Sequence, residues 1–116
     1  MSGEYNWGVQ PGLKNLSDHF LEEWFWRPAS IASYSGGGFG GVRTGLAWRA
    51  ILAEMGMVTI PSNLAVDRVA DSLDSEGMPV GGGGESLRLA FPRFVDHLMW
   101  WTQAARTQRE RCLQPY

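Results

Sequence analysis

"ASIASYSGGGFGG", Ala29 to Gly41, decides how the chain is read. Its opening, Ala29 to Ser35, is apolar or small throughout and β-compatible, the pattern of a strand buried on both faces rather than of one that alternates. Glycine then stops the strand. "VRTGLAWRAILAEMG" follows at once, with Leu46, Ala50 and Ala53 and the flanking Ala47, Ile51 and Met55 at helical spacing, closed by Gly56. "MVTI", Met57 to Ile60, is a second short β-branched run, which Pro61 should end. Strand, helix and strand joined this closely imply a parallel pair with a right-handed crossover.

Outward on the N-terminal side, Leu13, Leu16, Phe20 and Trp24, with Leu21 and Phe25, recur at three- and four-residue intervals from Pro11, while Lys14, Asp18, Glu22 and Glu23 fill the opposite face. This predicts an amphipathic helix that begins at Pro11 and ends near Trp26, before Pro28. The loop "SGEYNWGVQ" leads into it without a preceding strand. On the C-terminal side, residues 67–84 contain Pro79, acidic residues and the run Gly81 to Gly84 with no sustained period, which reads as a loop with a flexible connection. Phe91, Phe94, Val95, Leu98, Trp101 and Ala105 then predict a last helix within 85–112, with Pro92 acceptable only in its first turn. Adjacent positions lie about 100° apart on a helix, so of Trp100 and Trp101 one should meet a neighbour.

A chain of 116 residues with 44% hydrophobic residues and a formal net charge of -2 is expected to be a single domain, with no bulk attraction to nucleic acid or anionic lipid. Lys14 is the only lysine, so positive charge sits mostly on arginines that favour paired or stacked contacts. The single cysteine, Cys112, cannot close an internal disulfide, and the N-terminus has neither a basic region nor a signal-length apolar run; a cytoplasmic setting without a membrane span is the expectation. His19 and His97 stand alone on charged helix, so no metal site is expected and both read as surface residues. Arg43, at the start of the second helix, faces either a ligand or a carboxylate, with the carboxylate preferred.

Gly36, Gly38 and Gly41 formally match a dinucleotide fingerprint between strand and helix. The acidic residue such a site wants at the end of the next strand is missing, since that strand ends in Ile60, Pro61 and Ser62. What remains is physical: side-chain-free amides at a helix N-terminus can lie close against a flat or anionic ligand, or serve turn geometry alone.

"EYNWG" followed by "LKN" and "SD", then "RPASIASYSGGGFGG", "LAEMGM" and "VTIP", resembles the C-terminal half of the NAD(P)H-dependent FMN reductases, a flavodoxin-like family. The likeness is close over residues 4–61 and looser in "VADSLDSEG" and the last helix. It implies that Glu4, Tyr5, Asn6 and Trp7 border a flavin ring, and that Ser35, Gly36, Gly37, Gly38, Phe39, Gly40 and Gly41 lie along its polar edge. FMN and NAD(P)H are the implied cofactors. Gly3 stands where the family usually has Pro, Pro11 comes one place late, and the family's Gly-Ser-x-Arg phosphate loop and first three strands have no counterpart.

The expected fold is therefore a truncated flavodoxin-like α/β unit of two parallel strands and three helices, one domain over 1–116. With the family's third strand lost, the strand at 29–35 should present a bare edge on which a second copy pairs to complete the sheet, Trp24, Trp26 and Trp100 covering the seam. The expected function is that of an oligomeric relative of FMN and quinone reductases with weak or lost flavin binding. The alternative is an active reductase whose flavin site a second chain completes.

Overall fold

The computed structural model describes residues 1–115. The element order is β1 (Ser2–Gly3), α1 (Pro11–Asp18), β2 (Pro28–Tyr34), α2 (Val42–Glu54), β3 (Val58–Val66), α3 (Val69–Ser72) and α4 (Gly81–Arg111). The strands form one parallel three-stranded sheet in the order β1-β2-β3. This is the α/β, flavodoxin-like unit that the sequence predicts, with one more strand and one more helix than expected. β1 pairs Ser2 with Ser33 and Gly3 with Tyr34. So the opening loop does follow a strand, one too short for any periodicity to reveal, and β2 is the central strand instead of a bare edge along its whole length.

Helix α1 stops at Asp18 rather than near Trp26. Its last turn finds other partners: the Trp24 indole Nε1 donates to the Ser17 carbonyl at 3.0 Å, and residues 21–26 form turns that end with Trp26 at φ 60°. Satisfying the end carbonyls through a side chain lets the helix end without a glycine. β3 runs through Pro61 to Val66 because the pairing shifts there: Ala29 faces Thr59, yet Ile31 faces Asn63. The extra residues bulge out, which removes the ladder position that proline cannot fill. Arg49 of α2 clamps this bulge, its Nη2 donating to the carbonyls of Ile60 and Pro61 at 3.1 and 3.0 Å and to Asn63 Oδ1 at 2.8 Å.

Residues 67–84 are not a plain loop. Arg68 at φ 40° opens α3, and the Asp74 carboxylate accepts from the amides of Glu76 and Met78 at 2.9 and 2.8 Å, fixing a tight turn. The glycine run begins α4 instead of connecting to it. A Cβ on Gly83 would lie 2.2 Å from Ser72 Oγ, and one on Gly84 2.6 Å from the Pro79 carbonyl carbon, so these glycines let the helix start against α3. α4 also continues through Pro92, well past its first turn.

α2 and α4 both pack on β2 and β3. Asn63 meets Arg49 of α2 while its neighbour Ser62 hydrogen-bonds His97 of α4, so the two helices cover opposite faces. His97, expected at the surface, is thus half-buried against β3. Ile31, Trp48, Met55, Ile60, Leu64, Val66 and Phe94 form the core. Ser2 Oγ and Thr44 Oγ1, both buried, lie 3.3 Å apart and tie β1 to α2. Among the described residues no helix is long and apolar enough to cross a membrane, and no group of three or more His, Cys, Asp or Glu is placed to hold a metal ion.

Candidate functional site

Strands β1 and β2 run in the same direction, so the loops that follow them emerge at the same end of the sheet. After β1, the Glu4 amide donates to the Tyr34 carbonyl at 3.1 Å, and then Tyr5 and Gly8 exchange backbone hydrogen bonds of 3.1 and 2.8 Å. Between them Asn6 and Trp7 have φ of 46° and 64°. Two left-handed residues in a row make a mirror-image turn of the type that suits tight hairpins. Asn tolerates this conformation, whereas Trp is held in it at a cost of roughly 1–3 kcal/mol. The turn leaves the rings of Tyr5 and Trp7 exposed.

After β2, the second loop is pinned from below. Ser33 Oγ donates to the Gly40 carbonyl at 2.7 Å, Ser35 Oγ to the Gly37 carbonyl at 2.8 Å, and the Arg68 amide to the Gly37 carbonyl at 3.0 Å. Gly40 and Gly41, at φ 59° and 71°, turn the chain into α2; a Cβ on Gly41 would come within 2.8 Å of the Tyr34 carbonyl oxygen. They serve the turn, not an open surface. Gly36 and Gly37 differ, with nothing within 4 Å of where a Cβ would be. Among the described residues none accepts a hydrogen bond from the amides of Gly36, Gly37, Gly38 or Phe39.

Arg43, in the first turn of α2, joins the loops. Its Nη1 donates to Glu4 Oε1 at 2.8 Å, and its guanidinium carbon lies 4.6 Å from the Trp7 ring centroid and 4.8 Å from that of Phe39. An Arg between two aromatic faces with a carboxylate at its edge uses each property of that side chain. The preference for a carboxylate partner holds, and the stacking adds what spacing does not reveal. Glu4 Oε2 is buried with no hydrogen-bond partner. Sequence reading missed Arg68, whose side chain lies 3.3 Å from a Cβ position on Gly38; only its place after a strand's end pointed to it.

The predicted residues therefore divide. Glu4, Trp7 and Phe39 converge on Arg43, and Gly36 and Gly37 present an open backbone beside them, whereas the Ser35 amide donates to the Val66 carbonyl and its carbonyl accepts from the Val69 amide, both at 3.1 Å, and Gly38 lies against the Arg68 side chain. Tyr5 and Asn6 shape the first turn, and Gly40 and Gly41 the second. Unpaired amides, exposed rings and one orphaned carboxylate oxygen can accept the polar edge and face of a flat heteroaromatic ring.

A family model described as NADPH-dependent FMN reductase matches residues 1–71, which include both loops. The chain belongs to the NADPH-dependent FMN reductase family. It is also similar to NAD(P)H-dependent FMN reductase LOT6 of Saccharomyces cerevisiae, 46% identical over 35 residues, a stretch that covers 30% of this chain and 18% of the yeast protein. The chain thus spans well under two thirds of that relative, and helix α4 lies outside the family match.

Proposed function

We propose that this member of the FMN reductase family works as an oligomer and carries the ring-contacting half of a flavin site, and that on its own it holds FMN weakly or not at all. The observation that supports this reading is Arg43: its guanidinium fills the space between Trp7 and Phe39, where a flat ring would have to enter. A ligand must displace a stacked, ion-paired side chain before it gains any contact. The cost is of the order of 1–3 kcal/mol for the stacking and the partly buried pairing together.

The residues present fit part of the cofactor. The amides of Gly36 to Phe39 would hold the ring's polar edge, Glu4 Oε2 would accept from a ring N–H, and Trp7 and Phe39 would bound its sides. Nothing in residues 1–116 matches the Gly-Ser-x-Arg loop for the phosphate, so these residues are proposed to hold the ring and not to make the charge-assisted contacts to that group. When bound, FMN supplies the chemistry of taking up a hydride from NAD(P)H and passing electrons on, and the protein supplies placement.

The unpaired amides favour a second reading, an FMN-dependent NAD(P)H oxidoreductase whose site is completed by another chain. The visible spectrum of the purified protein with added FMN, followed by NADPH and NADH oxidation, tests both. Free-flavin bands and no turnover are expected of the chain alone; a shifted flavin spectrum with turnover contradicts the first reading.

A further inference from the structure

β3 ends at Val66, at the same end of the sheet as the two loops, and Asp67 and Arg68 follow it directly. Arg68 has φ 40° and ψ 56°, a left-handed conformation that glycine or asparagine adopts readily and a long side chain adopts at a cost. Its backbone is fixed there on both sides. The amide donates to the Gly37 carbonyl at 3.0 Å, and the carbonyl accepts from the amides of Asp71 and Ser72 at 2.7 and 3.1 Å. Ser72 Oγ donates to the Asp67 carbonyl at 2.8 Å. The root of the side chain is thereby held against the glycine loop, and its tip stays there: Nη2 and Cζ lie 3.3 and 3.7 Å from the place of a Cβ on Gly38.

The two ends of this guanidinium differ. Nη1 donates to Asp67 Oδ2 at 3.2 Å, in a pair whose side chains are 63% and 41% exposed, so water screens most of that attraction. Nη2, beside Gly38, has no hydrogen-bond partner among the described residues. Arg43, on the other side of the loop, has its charge matched by the largely buried Glu4 carboxylate. Arg68 is therefore the less compensated of the two cations, and it stands in the loop whose amides at Gly36 to Phe39 are unpaired.

We propose that Arg68 supplies positive charge to the polar edge of the flavin ring and so binds the reduced ring more tightly than the oxidised one. The proposal rests on the ring-contacting part of the reading above. A neutral ring that takes up a hydride from NAD(P)H gains one negative charge, and until a proton arrives from solvent that charge is shared along the polar edge. The loop amides offer donors to both forms. A full charge beside Gly38 acts on the difference between them, and a flat ligand over the loop excludes the water that screens it. A strained arginine at a position where glycine would be relaxed then has a reason, because only the side chain brings charge to this point of the loop.

Anaerobic titration with lumiflavin tests the proposal, first oxidised and then reduced by dithionite at mildly alkaline pH, with tryptophan fluorescence as the readout. The wild type is expected to bind the reduced ring more tightly. Arg68→Gln keeps the same backbone requirement and removes the charge. It should leave the affinity for the oxidised ring within about twofold and weaken that for the reduced ring about tenfold, which equals a bound midpoint potential about 30 mV lower. Arg68→Lys should recover most of the difference, and Asp67→Asn, which releases the guanidinium from its carboxylate, should shift it the opposite way. Circular dichroism verifies that each variant is folded. If the ratio of the two dissociation constants is unchanged in Arg68→Gln, the role of Arg68 is overturned while ring binding stands. If neither form of lumiflavin quenches the wild type, the ring-contact reading falls and the proposal falls with it.

Discussion

At the residue scale, neighbouring glycines in one loop have opposite requirements. Gly41 sits at φ 71° with the Tyr34 backbone directly behind it, whereas Gly36 faces open space. Gly41→Ala should therefore lower stability by about 2–4 kcal/mol, since it adds both left-handed strain and a clash. Gly36→Ala should stay within about 0.5 kcal/mol of wild type. Urea denaturation separates the two. Arg43 makes a different claim. Arg43→Ala removes the partner of a carboxylate whose side chain is only 11% exposed, so a loss of roughly 1–3 kcal/mol is expected. The same change should raise acrylamide quenching of Trp7, because its covering guanidinium is gone. If quenching does not change, the stacking has no weight in solution.

At the element scale, the glycine run at the start of α4 gives the clearest sign test. Alanine favours a helix over glycine by up to about 1 kcal/mol. Gly82 has free space around its Cβ position, so Gly82→Ala should stabilise by a few tenths to about 1 kcal/mol. Gly84→Ala should destabilise by about 2 kcal/mol or more despite the same propensity gain, because its Cβ would meet the backbone of Pro79 and Ser72. A thermal melt that ranks Gly84→Ala above wild type would show that α4 does not start against α3. These elements also mark what the sequence could reveal. The strand at Ala29, the glycine loop and α2 were legible because small residues, punctuation and helical period agree there. Pro61 was misleading: it reads as a stop, but a bulge clamped by Arg49 carries the strand past it. The glycines at 81–84 looked like a linker because their reason lies in tertiary contact with Ser72 and Pro79, which no local pattern encodes. β1 left no periodic trace at all, being defined only by its pairing with Ser33 and Tyr34. Of the candidate site, the two loops were legible from resemblance and Arg43 from its place at the helix start. The division of the glycines into open and packed positions required the fold.

At the scale of the whole molecule, the extents of 47 × 29 × 22 Å are set by α4, whose 31 residues span about 46 Å. Such a helix outruns a three-stranded sheet, and Met99 and Trp100 are left exposed on it. Large apolar residues in the open and hollows beside the central strand mark the apolar surface that this fold leaves exposed. The central claim is that this chain supplies contacts to the flavin ring and none to its phosphate. Comparing the dissociation constants of FMN and lumiflavin, the same ring without the ribityl phosphate, tests it most directly, with tryptophan fluorescence quenching as the readout. The account predicts weak binding of similar strength for both. FMN bound a hundredfold or more tighter than lumiflavin, a difference of about 2.7 kcal/mol, would contradict it.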